Sequence, residues 1–471
     1  MTLPGAFFVV LALFCFLWRP AYLLPLLLIA SLFEVASVVN GKIGNFEFGL
    51  SPFYLVGVLI AARFAISIMS TGKFLPVGPM RGVAVALVSF WAWSFVSAMV
   101  MPRIFSGMEV YVPREGLDYN GLGPLRWTMS NLAQTLYLTL NVSAVLYALQ
   151  TSDSADRAVR LWKALRWATF VVVGAGLLQR VAPSVYPYWL FNNNLVYYQG
   201  FDQDIDGLRR TTATFGEPSS AGSFLAAIGS GLVASYLSGR RGLQPLAAIL
   251  LVLVALLSTT ATTGYAGFAV MVFVLLVYFN PLKKASRASV ATGWGVILVV
   301  FCIGATVLVV NPGLFQAASA MTVEKMEGDS FAQRVFADIY ALILFKGTWG
   351  LGVGLGSNRP SSLVTALLST IGAIGTGLFA ITLYRLCKLF PGRSAPSAVQ
   401  VTFWALLGLL VADAIGVPDL NRPALWGLFV VVVAQLNVYP NNRAMIAHGQ
   451  RSIAPKVRIS PEGTAGIVPA S

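Results

Sequence analysis

Three segments of this chain carry residue types that could bind an anion or move a proton. Gly350, Gly352, Gly354 and Gly356 fall in one short stretch, Asn358 and Arg359 follow directly, and an apolar run begins after them. A loop of that composition can turn backbone N–H groups and one cation toward an anion. Because the next run is long enough to span a bilayer, the anion would sit at a membrane surface, which suits a lipid phosphate or diphosphate better than ATP. The stretch is not a Walker loop, since no Lys-Ser/Thr follows, nor a dinucleotide fingerprint, since no strand precedes it. Glycines beside a span also serve close helix packing, and both readings stand.

The second segment runs Leu208-Arg209-Arg210 to Phe215-Gly216-Glu217-Pro218, directly before an apolar run. Arginine forks match phosphate oxygens bidentately, and a carboxylate beside them can act as a general base on a sugar hydroxyl. Alternatively, Glu217 pairs with an arginine or caps a helix starting near Ser219. The third segment, Asp329 to Lys346, repeats Phe331, Val335, Ile339, Leu342 and Ile343 near helical spacing and carries Arg334 at its start. A cation at a helix N-terminus is unfavourable against the dipole unless an anion sits there; a pair with Asp329 or Asp338 is the alternative.

Composition fixes where these segments must work. Hydrophobic residues make up 57% of 471 and charged residues 11%, with a mean hydropathy of +0.76, against about 25% charged in soluble domains. An integral membrane protein follows, with helical spans rather than the alternating strands of a barrel. The fold expected is all-α and polytopic, with about 12 or 13 spans of about 20 residues, at 3–18, 21–39, 52–70, 82–101, 131–149, 165–182, 219–237, 243–258, 264–280, 290–310, 362–384, 398–416 and 423–438. The first run, Leu3 to Leu17, lacks a basic start and reads as a retained helix. Cys15, Cys302 and Cys387 have no metal-like spacing, and the sole histidine, His448, is in the polar tail 439–471. Glu34, Arg63, Arg180 and Asp413 fall inside expected spans; only Glu34 reads as deep.

Basic residues set the orientation. Lys73, Arg81, Arg157, Arg160, Lys163, Arg166, Arg240, Arg241, Lys283, Lys284, Arg287, Lys388 and Arg393 fall on one side with the tail, and nearly all acids fall on the other. The net charge of +14 therefore reflects orientation, not nucleic-acid binding, and the C-terminus is expected in the cytoplasm. Long outer loops at 102–130, 183–218 and 311–361 hold the polar residues, whereas the cytoplasmic loops are too short for a nucleotide-binding domain.

The order of these parts carries a resemblance. A long outer loop with Arg and Gly-Glu-Pro precedes a span; two spans are joined by Ser258-Thr-Thr-Ala-Thr-Thr-Gly264; a further outer loop holds Ser330 and Arg334, a surface helix and the glycine cluster. Over about residues 205 to 385 the chain resembles the bacterial O-antigen ligase and O-antigen/exopolysaccharide polymerase superfamily, which places such loops and spans in this order. The resemblance implies an inner-membrane glycosyltransferase that needs no nucleotide or other cofactor. Its substrate would be an undecaprenyl-diphosphate-linked oligosaccharide, and its partners membrane lipids, a chain-length regulator and export proteins. It implies that Arg209 or Arg210, with Arg334, hold the diphosphate, and that Glu217 stands where a loop acid would serve the acceptor; Arg359, Asn358 and the glycines are added from this sequence alone. Ligases of this kind carry His-Asn before the span that follows the glycine loop, about eleven residues ahead of the Gly-x-x-Gly seen here at Gly372–Gly375. Ser361-Ser362 stand there in this chain, which favours a polymerase over a ligase; a lipid-linked oligosaccharide transporter is the reading from another class.

Overall fold

The computed structural model describes residues 1–43, 46–112, 121–151, 155–195, 204–205, 208–280 and 329–439. The expected span at 290–310, the first part of the loop 311–361 and the tail lie outside the described residues. The helices are α1 (Leu3–Trp18), α2 (Leu23–Ala30), α3 (Pro52–Thr71), α4 (Arg81–Ile104), α5 (Met129–Thr151), α6 (Ala155–Val181), α7 (Tyr188–Phe191), α8 (Pro218–Leu237), α9 (Leu243–Ser258), α10 (Thr262–Phe279), α11 (Asp329–Gly347), α12 (Leu363–Leu389), α13 (Ser397–Gly416) and α14 (Pro423–Val438). Among the described residues, three antiparallel hairpins join them: β1 (Val39–Ile43) with β2 (Phe46–Leu50), β3 (Glu109–Tyr111) with β4 (Leu122–Pro124), and β5 (Asp204–Ile205) with β6 (Leu208–Arg209).

Among the described residues, eight helices (α3, α4, α5, α6, α8, α10, α12 and α13) are long and apolar enough to cross a membrane. Four shorter apolar helices, Leu3–Trp18, Pro20–Ala30, Leu243–Ser258 and Pro423–Val438, pack among them. This is the architecture of an all-α polytopic membrane protein, in which each helix closes its own backbone hydrogen bonds. α14 is buried from Pro423 to Leu436 without a break, as expected for a helix apolar all round. α8 owes its close packing to small residues: a Cβ on Gly222 would meet Ala261 Cβ at 2.8 Å, and one on Gly264 would meet the Gly222 backbone at 2.8 Å.

The expected span at 21–39 is corrected. α2 stops at Ala30, and the chain turns through residues 31–38 into the β1–β2 hairpin. The cause is polar: the Ser37 N–H donates to Asn193 Oδ1 at 2.6 Å, the Asn194 N–H donates to Val35 O at 3.1 Å, and Glu34 is drawn to partners described below. Glu34 is therefore in a loop rather than deep in a span.

α12 is broken at Gly372, whose φ of 67° and ψ of −170° leave the helix. The glycine loop fills the break. Val353 N–H donates to Ser369 O and Gly354 N–H to Thr370 O, both at 2.8 Å, while Ala373 N–H donates back to Gly350 O at 2.7 Å. Ser97 Oγ and Trp93 Nε1 of α4 cover Thr370 O and Ile371 O at 3.0 and 2.8 Å. Irregular backbone at membrane depth is tolerated only when satisfied in this way. A Cβ on Gly372 would run into Gly350 O and the Leu351 carbonyl in a left-handed conformation. Gly372→Ala should therefore lower stability by at least about 1–3 kcal/mol, read as a drop in the thermal unfolding midpoint in detergent. Gly377→Ala on the same helix, where an added Cβ meets nothing within 4 Å, should be neutral or slightly stabilising.

Candidate functional site

The connections before α3, α5, α8, α12 and α14 gather at one end of the bundle, and the charged residues singled out by the sequence lie there. Arg210 follows β6 at the start of a buried strap, 211–216, that leads into α8. Gln179, near the end of α6, holds this strap by accepting the N–H groups of Thr212 and Ala213 at 2.9 and 3.0 Å, and Tyr186 donates its hydroxyl to Ala213 O. Thr211 and Ser258 hydroxyls meet at 3.0 Å, and Arg210 Nε donates to Thr260 Oγ1 at 3.2 Å. The Ser258–Gly264 turn thus serves as the wall against which Arg210 rests.

Arg210 lies within electrostatic reach of a second arginine. Burial lowers the pKa of its guanidinium, and the charge of Arg334 on α11 lowers it further, with Tyr265 and Glu217 acting in the opposite sense. Arg180, at the end of α6, and Arg210 both lie within electrostatic reach of Tyr265, whose hydroxyl donates to Leu257 O at 2.8 Å. Arg334 itself is solvent-exposed. Like charges gathered at a partly buried place disfavour one another. Of the adjacent pair, Arg209 is placed only by its backbone, in β6 opposite Asp204.

Glu217 is the N-cap residue of α8, extended in backbone (φ −135°, ψ 149°) and followed by Pro218 at the first helical position. Its side chain makes no capping hydrogen bond; Oε2 instead accepts from Ser219 Oγ at 3.1 Å. It is half-buried, within electrostatic reach of Arg210 on one side and of Glu34 on the other. Glu34 Oε2 accepts the Gly216 N–H at 3.2 Å, and Oε1 lies 3.7 Å from Arg422 Nε. Arg422, 1% exposed, sends Nη1 to Asp413 Oδ1 and Nη2 to Ser220 O, each at 2.5 Å. Burial raises the pKa of Glu34, partly offset by Arg422 and by the Gly216 N–H. Arg334 and Glu217 both act on Arg210, while Glu34 shares the Arg422 guanidinium with Asp413 and also feels the charges of Glu217 and Asp419.

The glycine loop takes a different part from the expected anion cradle. Gly352 and Gly354 are buried with φ of 80° and 104°, and their N–H groups go to Thr348 Oγ1 and Thr370 O. A Cβ on Gly354 would meet Pro102 at 2.7 Å, and one on Gly356 would meet Ser130 O at 2.9 Å. These glycines let the loop pass between α4, α5 and the break in α12. Asn358, also buried, accepts the Tyr111 N–H through Oδ1 and donates to Ser369 Oγ through Nδ2, both at 3.0 Å. Arg359 is exposed, with its N–H on Tyr111 O; it stands beside the β3–β4 hairpin.

Asp338, one of the two acids offered as an alternative partner for Arg334, is engaged by the start of α12. Its carboxylate accepts from Ser361 N and Oγ at 2.8 and 2.6 Å, Ser362 N at 3.2 Å and Thr365 Oγ1 at 2.6 Å. A carboxylate at the N-terminus of α12 is favoured by the helix dipole, and here it pins α11 to α12 one turn from Arg334. Asp338→Ala should cost about 2 kcal/mol and expose α11 to limited proteolysis, with Asp338→Asn intermediate.

Sequence reasoning did not find the Glu34–Arg422–Asp413 network, Arg180 as a member of the arginine group, or Thr260 and Tyr265 as their support. Two signals existed: Asp413 and Glu34 are acids in apolar surroundings, and Arg422 stands directly before the apolar run of α14. Neither family models nor curated proteins give a match to this chain.

Proposed function

We propose that this chain is a polysaccharide polymerase of a bacterial inner membrane, with the arginine end facing outward and the C-terminus in the cytoplasm. It transfers undecaprenyl-diphosphate-linked glycan chains onto a lipid-linked repeat unit. The observation that carries the reading is that Arg334, on α11, and Glu217, at the start of α8, both lie within electrostatic reach of Arg210. The arginines, with Arg180, bind the diphosphate and stabilise the charge that grows on it as the anomeric C–O bond breaks, a contribution that is often the largest in catalysis. Glu217 accepts the proton from the acceptor hydroxyl as its oxygen bonds to the anomeric carbon. Undecaprenyl diphosphate leaves with the bonding electrons. In this reading the phosphates lie toward Arg210 and Arg334 and the acceptor hydroxyl toward Glu217. Arg209, Arg359 and Asn358 belong to this reading only as residues bordering the same loops, and the glycines as the support of α12.

The test is chain extension by purified protein in liposomes with an authentic lipid-diphosphate-linked repeat unit, without nucleotide or added metal. A ladder of longer glycans is expected. Unchanged repeat unit would end the polymerase reading, and assays with a separate acceptor and of leaflet translocation would then decide between ligase and transporter.

A further inference from the structure

We propose that Glu34, Asp413 and Arg422 form a positioning clamp that fixes the first turn of α8 and so sets the direction of the Glu217 carboxylate. The inference rests on the role given to Glu217 above.

The geometry is specific to that turn. One guanidinium reaches both ends of a five-residue stretch: through Glu34 it holds the Gly216 N–H, and directly it holds Ser220 O. Glu217 lies between these two anchors. A glutamate at an N-cap normally gains its orientation from a bond to the backbone of its own helix, and Glu217 has no such bond. Pro218 supplies a fixed φ, and the Phe215 ring lies 5.9 Å from the Arg422 guanidinium. Strap, turn and helix start are therefore referenced to one buried cation, contributed from the start of α14. Asp413 keeps that cation in place from α13.

Carrying a buried arginine and two carboxylates into a membrane-protein core is costly, and hydrophobic replacements of such groups are often neutral or stabilising. The groups that this network holds are backbone atoms of the one turn that bears Glu217, and that is why a positioning role fits better than a general stabilising one.

The experiment compares wild type, Glu34→Gln and Glu34→Ala as full-length protein in nanodiscs, by hydrogen exchange and by chain-extension kinetics. In Glu34→Ala, peptides within 211–222 should exchange about tenfold faster, the factor that corresponds to one charge-assisted hydrogen bond. Peptides in α4 and α12 should not change. Glu34→Gln, which keeps an acceptor for the Gly216 N–H, should show a smaller increase. Kinetically, Glu34→Ala should lower kcat about tenfold with KM for the lipid substrate nearly unchanged, and Glu34→Gln should recover part of the loss. Unaltered exchange at 211–222, or an equal rise across the whole chain, overturns the clamp. Faster local exchange with unaltered kcat overturns its positioning role. If wild type makes no polymer, the enzymatic reading fails while exchange still decides whether the clamp exists.

Discussion

Arg210→Ala and Arg334→Ala should each reduce chain extension to about 1% of wild type or less, the loss typical of removing one preorganised charge-stabilising donor. The effect is expected in kcat as well as KM, because the diphosphate gains charge as the glycosidic bond breaks. Lysine should recover little at Arg210. Its Nε bond to Thr260 fixes the plane of the guanidinium, and an ammonium replaces only the charge. Arg334 is exposed and approaches from α11, so Arg334→Lys should recover more. Arg334 is exposed on α11, so its alanine variant should fold, with thermal unfolding shifted by less than about 1 kcal/mol. A ladder of unchanged length and rate in both alanine variants would remove the arginines from the mechanism.

Arg422→Ala should act on folding rather than on chemistry alone. It leaves Asp413, 0% exposed, and Glu34 without their shared cation, and it leaves Ser220 O without its extra donor. Removing one partner of a buried pair costs about 3–5 kcal/mol, a large part of the about 5–15 kcal/mol that holds a typical domain together. The expected outcome is loss of folded protein from detergent extracts or a strongly lowered unfolding midpoint. Glu34→Gln with Asp413→Asn should restore part of the stability of Arg422→Met, because the uncompensated charges are then gone. Failure of that rescue would mean that Arg422 stabilises through its bond to Ser220 O and its packing on Phe215.

How legible this was differs from part to part. The apolar repeat from Phe331 to Ile343 marked a helix, and α11 runs from Asp329 to Gly347, because helical spacing of apolar residues is a local property. The glycines at 350–356 did mark an irregular loop, but their composition fits an anion cradle and a packing wedge equally well. Which one forms depends on whether an acceptor is already present, and here Ser369 O and Thr370 O are left open by the break at Gly372. The residues 31–38 misled in a different way. They continue an apolar run closely enough to read as a span, and only the distant partners Asn193, Gly216 and Arg422 pull them out of one.

By itself the sequence determined that this chain is a bundle of apolar helices with its polar residues collected in a few loops, because burial in lipid demands long uncharged runs and the spacing of those runs is written locally. It also placed Arg210, Glu217 and Arg334 in loops of the same expected side. Tertiary structure alone decided that Arg180 joins Arg210 near Tyr265, that Asp338 serves α12 instead of Arg334, and that Glu34, Asp413 and Arg422 meet under Glu217. A charged side chain takes the partner that packing brings within a few ångströms, and that choice depends on helices far apart in the chain.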